Sequence, residues 1–194
     1  PETLCRGVRD RSTFGILASG ASVLRDSLRA FRTVLELHET RRLIRRVLRT
    51  YLGQSAAEAV LRGSIRRGEC EMIHAILLYS DLRDFTPISE RTAVPHLTDL
   101  LDRYFETISR PVQDAGGEIL KFIGDGLLAV FPCPVGHVRG CPTAQRALGV
   151  AREAQRAMAS RRRQESDFDL RCGVALHVGD VLFGNVGASD RLDF

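Results

Sequence analysis

The chain has 194 residues, 44% of them hydrophobic and 27% charged, with a formal net charge of +4. That length and balance fit one main globular domain with a short appendage, and they exclude collagen-like, low-complexity and disordered chains. No apolar run exceeds strand length, so no membrane span is expected in this fragment, and acidic residues interleaved with the arginines leave no basic stripe for nucleic acid.

From residue 22 to about 52, Leu24, Leu28, Phe31, Leu35 and His38 recur at three-to-four spacing without a proline or glycine, which predicts one long helix. Its apolar positions then change phase to Ile44, Val47, Leu48 and Tyr51. That slip fits either a short coiled coil carrying a stutter or a helix packed on its own domain. Gly53 ends the helix, Ala56 to Leu61 reads as a second, short one, and Arg62 to Gly68 as a basic connector. Met72 to Ser80 follows as a buried strand, then an amphipathic helix from Val94 to Ala115 that Gly116-Gly117 breaks. Glu118 to Ile123 and Leu127 to Phe131 read as strands joined by a tight hairpin at Gly124-Asp125-Gly126. Pro132, Pro134 and Gly136 punctuate the next loop, and Thr143 to about Arg163 is an alanine-rich helix. Phe168 to Val178 and Val181 to Val186 read as two more strands around Gly179-Asp180. This order predicts an α+β fold with helices over a mainly antiparallel sheet.

The five cysteines are odd in number and show no pair at zinc-ligand spacing, which fits reduced thiols and a cytoplasmic setting. The five histidines show no metal spacing either. Positive charge comes from 27 arginines and a single lysine, Lys121, four positions before Asp125. A solitary lysine in such a chain marks a place where a compact ammonium is needed, or a partly exposed strand residue. Asp81 ends the apolar run Ile76-Leu77-Leu78-Tyr79 and leads into Leu82-Arg83-Asp84-Phe85-Thr86. A strand-end carboxylate beside free backbone amides can hold Mg²⁺ while the amides of Leu82 to Thr86 cradle a triphosphate. Taken singly, Asp81 reads as a helix cap and Asp125 as a turn residue. If the hairpin pairs with the first strand, the two carboxylates meet and can share two ions, one for an attacking hydroxyl and one for the leaving pyrophosphate.

Three ordered motifs carry a resemblance: Asp81-Leu82-Arg83-Asp84-Phe85-Thr86, then Lys121-Phe122-Ile123-Gly124-Asp125, then Gly184-Asn185-Val186-Gly187 with Arg191-Leu192-Asp193-Phe194. The stretch from about Ala75 to Phe194 resembles the catalytic domain of class III nucleotidyl cyclases. Asp84 stands where the family has glycine, which puts a side chain and a negative charge where the backbone approaches phosphate. The resemblance implies a ferredoxin-like core in a head-to-tail homodimer with composite sites at the interface. Asp81 and Asp125 would ligate two Mg²⁺ (or Mn²⁺), with the Leu82 carbonyl as a further ligand. Lys121, from the opposite subunit, would donate to adenine N1, where guanylyl cyclases tend to carry glutamate. The implied activity is an adenylate cyclase, converting ATP to 3′,5′-cyclic AMP and pyrophosphate in intracellular signalling. The alternatives are a guanylyl or mixed-specificity cyclase and a catalytically silent, dimerising cyclase-like module. Arg171 reads as a phosphate contact or a surface residue. The family's second purine contact and its transition-state asparagine and arginine fall beyond Phe194, so this chain is expected to bind ATP but cyclise little. The segment from Thr50-Tyr51-Leu52-Gly53 through Gly63-Ser64-Ile65-Arg66-Arg67-Gly68 resembles the helical transducing element of rhizobial-type bacterial enzymes, which makes residues 21–69 a helical linker or transducer. They would link the tail of an upstream sensor domain, residues 1–20, to a catalytic domain at 70–194.

Overall fold

The computed structural model describes residues 11–133, 142–188 and 192–193, with side chains from Leu24 onward. The first ten residues of the expected upstream tail, the loop around Pro134 and Gly136, and Arg191 and Phe194 of the third motif lie outside the described residues. The chain divides into two compact units, Pro1–Val47 and Leu48–Phe194. Helix α1 (Arg11–Leu52) is one unbroken helix, so the change of apolar phase does not interrupt it. Its Leu24, Leu28, Phe31, Val34 and Leu35 are exposed. No described helix is long and apolar enough to cross a membrane.

After α2 (Gln54–Leu61) come β1 (Cys70–Leu82), α3 (Phe85–Arg91), α4 (Val94–Asp114), β2 (Glu118–Ile123), β3 (Gly126–Pro132), α5 (Pro142–Gln164) and β4 (Cys172–Gly184). Two short strands, β5 (Val186–Gly187) and β6 (Leu192–Asp193), pair with each other. The main sheet has the order β2-β3-β1-β4, and every neighbour is antiparallel. Alternation along β1 sends Ile76, Leu78, Ser80 and Leu82 into the core and leaves Leu77, Tyr79 and Asp81 on the other face. Against the core face lie Leu100, Tyr104, Ile108 and Val112 of α4 and Ala147, Val150, Ala154 and Met158 of α5. The one polar side chain of β1 in that core, Ser80, is satisfied by the Tyr104 hydroxyl at 2.9 Å.

The last expected strand pair is corrected. Gly179-Asp180 has turn chemistry, yet β4 runs straight through it because β1 supplies partners: Ala75 faces Gly179, and His74 faces Asp180 with Nδ1 and Oδ1 2.6 Å apart. The ladder starts only at Leu82↔Cys172, so Phe168 to Leu170 have no strand opposite them and form an irregular segment that buries Phe168 and Leu170 and leaves Asp169 exposed. Phe168 is instead held under the guanidinium groups of Arg103 and Arg161, 5.4 and 5.8 Å from its ring centroid.

Candidate active site

Asp81 lies on the non-core face of β1 between two glycines, Gly126 on β3 and Gly173 on β4. Both glycines leave room that any other residue would fill. A Cβ on Gly126 would come 2.5 Å from the Tyr79 hydroxyl and 3.1 Å from Asp81 Oδ1. One on Gly173 would come 2.8 Å from Arg83 Nη2, so the Arg83 guanidinium lies over the bare Cα of Gly173.

Asp125 reaches the same place through the hairpin. Ile123 pairs with Gly126, leaving the two-residue loop Gly124-Asp125, and Gly124 takes φ 62° at the position where a type II′ turn demands glycine. Because Asp81 faces Gly126, Asp125 is the next residue along beside it. Both carboxylates are felt by the same neighbours: desolvation raises the Tyr79 phenol above its ordinary pKa, and the charges of Asp81 and Asp125 push it further. Burial raises Tyr104 as well, with the same two charges adding to the effect.

Backbone direction completes the cluster. The Arg83 amide donates to the Arg171 carbonyl at 2.8 Å, so by the alternation of an antiparallel ladder the Leu82 amide and carbonyl face the other edge, toward Asp125. Two carboxylates and one main-chain carbonyl make an all-oxygen donor set, which suits Mg²⁺ or Mn²⁺ and not a thiolate-seeking metal. The same bond engages one amide of the expected phosphate cradle. Of the amides from Leu82 to Thr86, that of Arg83 is used by Arg171 and that of Leu82 faces the β3 edge, while Asp84, Phe85 and Thr86 stand at the start of α3. Asp84 has φ 57° and ψ 34°, the only described non-glycine residue at positive φ, a left-handed backbone that favours glycine. Arg171 meets Arg83 through the backbone, one residue before the ladder begins; it is exposed and is not among the described residues that line the Asp81 cleft.

Lys121 is elsewhere. It pairs with Leu128 and lines a cleft of about 440 Å³ with Leu77, Leu128, Val130, Val181 and Phe183. The 380 Å³ cleft of Asp81, Leu82, Arg83 and Asp84 shares none of its described lining residues with that one. The Lys121 ammonium sits 2.6 Å from Asp193 Oδ2, a partner that sequence reading missed because the two are 72 positions apart. Asn185 of the third motif, given no role by the sequence, is buried, and its side-chain amide donates to the Ser64 carbonyl at 3.1 Å, tying the connector to the end of β4. A further group unmarked by sequence spacing, His96, Asp99 and Asp167, clusters on the surface near α4. There Arg103 supplies the positive charge, 2.9 Å from Asp99 and 2.8 Å from Asp167, and its hydrogen bond holds the Asp167 carboxyl below its usual pKa.

Residues 71–193 match the family described as the adenylate and guanylate cyclase catalytic domain. Adenylate cyclase 1 of Rhizobium meliloti is 31% identical over 117 residues, 60% of this chain and 18% of that protein. The terminal-differentiation-specific adenylate cyclase of Dictyostelium discoideum is 30% identical, again over 60% of this chain but 5% of that one. The chain thus spans less than a fifth of either relative. Among solved structures, a bacterial light-regulated adenylyl cyclase superposes with a TM-score of 0.68 at 25% identity, covering 84% of this chain and 48% of that one. The guanylyl cyclase Cya2 superposes at 0.53 with 28% identity, over 66% and 64% of the two chains.

Proposed function

The chain belongs to the family of adenylate and guanylate cyclase catalytic domains, and on that premise we propose that it serves an adenylate cyclase, forming 3′,5′-cyclic AMP and pyrophosphate from ATP. The observation that supports this reading is Asp81 set between two glycines, with Asp125 next to its partner Gly126 and the Leu82 carbonyl on the edge that faces Asp125. Divalent ions bound there supply activation of the ribose 3′-hydroxyl and neutralise charge on the departing pyrophosphate. Asp81, Asp125 and Leu82 would hold them. The amides of Asp84, Phe85 and Thr86 orient the triphosphate, and Arg83 with Arg171 offsets its charge. The 3′-hydroxyl gives its proton to solvent, its oxygen bonds to the α-phosphorus as the α–β bridging oxygen leaves with pyrophosphate, and the chain's part is to align the two. Lys121 donates to adenine N1. Its separate cleft supports a site completed by a second copy of the chain, as in a head-to-tail homodimer, with α1 as the element that joins an upstream sensor domain.

A second reading is favoured by the Lys121–Asp193 pair. An ammonium beside a carboxylate offers a donor and an acceptor together, which also suits guanine O6 and N1–H, so a guanylyl or mixed-specificity cyclase is the alternative. The test is formation of cyclic AMP from ATP and cyclic GMP from GTP, with Mg²⁺ or Mn²⁺, by a version extended past Phe194 with the family's residues. Asp81→Ala and Asp125→Ala are each expected to abolish it while the fold stays intact. Substantial turnover in either variant would sink the two-carboxylate assignment, and cyclic GMP as the main product would select the alternative.

A further inference from the structure

Strand β2, which carries Lys121, is the edge of the sheet and is held by the ladder on one side only. Its register with β3 slips between Ile119 and Lys121, so the ladder does not by itself dictate where Lys121 points. Phe122 anchors the far half of the strand against Phe105 of α4, with ring centroids 4.5 Å apart. The near half is anchored differently. Glu118 reaches out of the sheet to the N-terminus of α2, where its Oε1 accepts the Ser55 amide at 2.6 Å and its Oε2 accepts the Ser55 hydroxyl. A carboxylate suits that position, since the first amides of a helix have no partner within it and carry partial positive charge.

Approach is close enough to exclude any side chain at the junction. Gly53, at φ 82°, joins α1 to α2, and a Cβ there would come 2.8 Å from Glu118 Oε1 and 3.1 Å from the Ile119 carbonyl. Arg49 of α1 closes the other side of the junction on Glu58 of α2 at 3.1 Å. A groove of about 950 Å³ runs along this seam, lined by both the junction and the strand up to Lys121 and Phe122.

We propose that Glu118 is a positioning residue for recognition of the nucleotide base: by fastening edge strand β2 to the N-terminus of α2, it fixes where Lys121 presents its ammonium. The inference rests on Lys121 as the group that reads the base. It adds that this group is set from the helical side of the domain, by a carboxylate that never touches nucleotide.

The test uses the full chain and two readouts, hydrogen–deuterium exchange of residues 118–123 and Mn²⁺-dependent binding of the fluorescent analogues MANT-ATP and MANT-GTP. Glu118→Ala is expected to speed exchange of β2 at least tenfold and to move the MANT-ATP to MANT-GTP affinity ratio severalfold toward that of Lys121→Ala, with the Mn²⁺ dependence unchanged. Glu118→Gln, which keeps an oxygen acceptor, should recover part of both effects, and Ser55→Ala should give a smaller change of the same sign without endangering the fold. If Lys121→Ala shifts the ratio but Glu118→Ala and Ser55→Ala leave it and β2 exchange at wild-type values, the inference is overturned while the base-reading assignment stands. If Lys121→Ala itself leaves both affinities unchanged, the base-reading assignment falls and takes this inference with it. An equal shift in Mn²⁺ dependence for Glu118→Ala would also overturn it, since the carboxylate would then act on the metal cluster.

Discussion

Gly126→Ala perturbs the proposed metal site without removing any of its groups. The added methyl would sit 2.5 Å from the Tyr79 hydroxyl, 3.0 Å from Tyr79 Cζ and 3.1 Å from Asp81 Oδ1. Ordinary contacts begin near 3.4 Å, so the tyrosine must swing away and the carboxylate must yield by a few tenths of an ångström. Tyr79 is 37% exposed, so its ring can move toward solvent. The stability cost therefore falls at the low end of overpacking, about 1 kcal/mol, or roughly 2–4 °C in Tm for a domain of this size. The effect on function is larger. A 1 Å misplacement costs about 10² in rate, so a shift of about a third to half of that predicts a loss of about tenfold in Mn²⁺-dependent cyclisation and a matching weakening of apparent Mn²⁺ affinity. The assay pairs calorimetric Tm with a Mn²⁺ titration of turnover in the extended version. Adding Tyr79→Phe removes the atom in closest conflict and should restore most of the Tm and part of the turnover. If Gly126→Ala lowers Tm by several degrees while the Mn²⁺ titration is unchanged, Asp81 is a structural residue and the reasoning fails.

Asp84→Gly should raise Tm by at most a few degrees, because relief of a left-handed aspartate, about 1 kcal/mol, is partly offset by the greater freedom of glycine in the unfolded chain. It should also tighten MANT-ATP binding by removing one negative charge from the phosphate cradle; weaker binding would mean that Asp84 itself serves the site. Lys121→Glu should lower the ATP to GTP ratio of kcat/KM by more than tenfold, since it places an acceptor opposite adenine N1, and an unchanged ratio would make Lys121 a structural strand residue. A chain beginning at Leu48 should sediment with weaker self-association than the full chain, because α1 exposes Leu24, Leu28, Phe31 and Leu35 along its length. Equal association in both would assign dimerisation to the catalytic unit alone.

Sequence legibility followed the range of the interactions. The hairpin at Gly124-Asp125 was readable because its turn chemistry is local, and so were the apolar face of α4 and the two aspartates, whose neighbours in the chain define their motifs. Glu118, Asp193 and Asn185 were opaque for the opposite reason: each owes its role to a residue 63, 72 or 121 positions away. Gly179-Asp180 misled because turn propensity is a local preference and thirteen residues of β1 override it. Asp84 in place of the motif's glycine put a side chain and a charge in the sequence, and its φ of 57° shows that the backbone there is left-handed, a conformation glycine adopts more freely than aspartate.

The strand order has a consequence for how the chain acquires its shape. β1 pairs with β3 across 45 to 57 positions but with β4 across 90 to 114. During synthesis, the strand bearing Asp81 can gain its first neighbour as soon as Pro132 has emerged, yet its other edge stays bare until Gly184 follows, 52 residues later. At about 5 to 20 residues per second that interval is roughly 3 to 10 s. Through it, an apolar strand shows an unpaired row of amides and carbonyls to its surroundings, the condition that invites pairing with a foreign strand. Expression temperature and translation speed should therefore govern the yield of this fold, with slower elongation before β4 favouring aggregates over native protein.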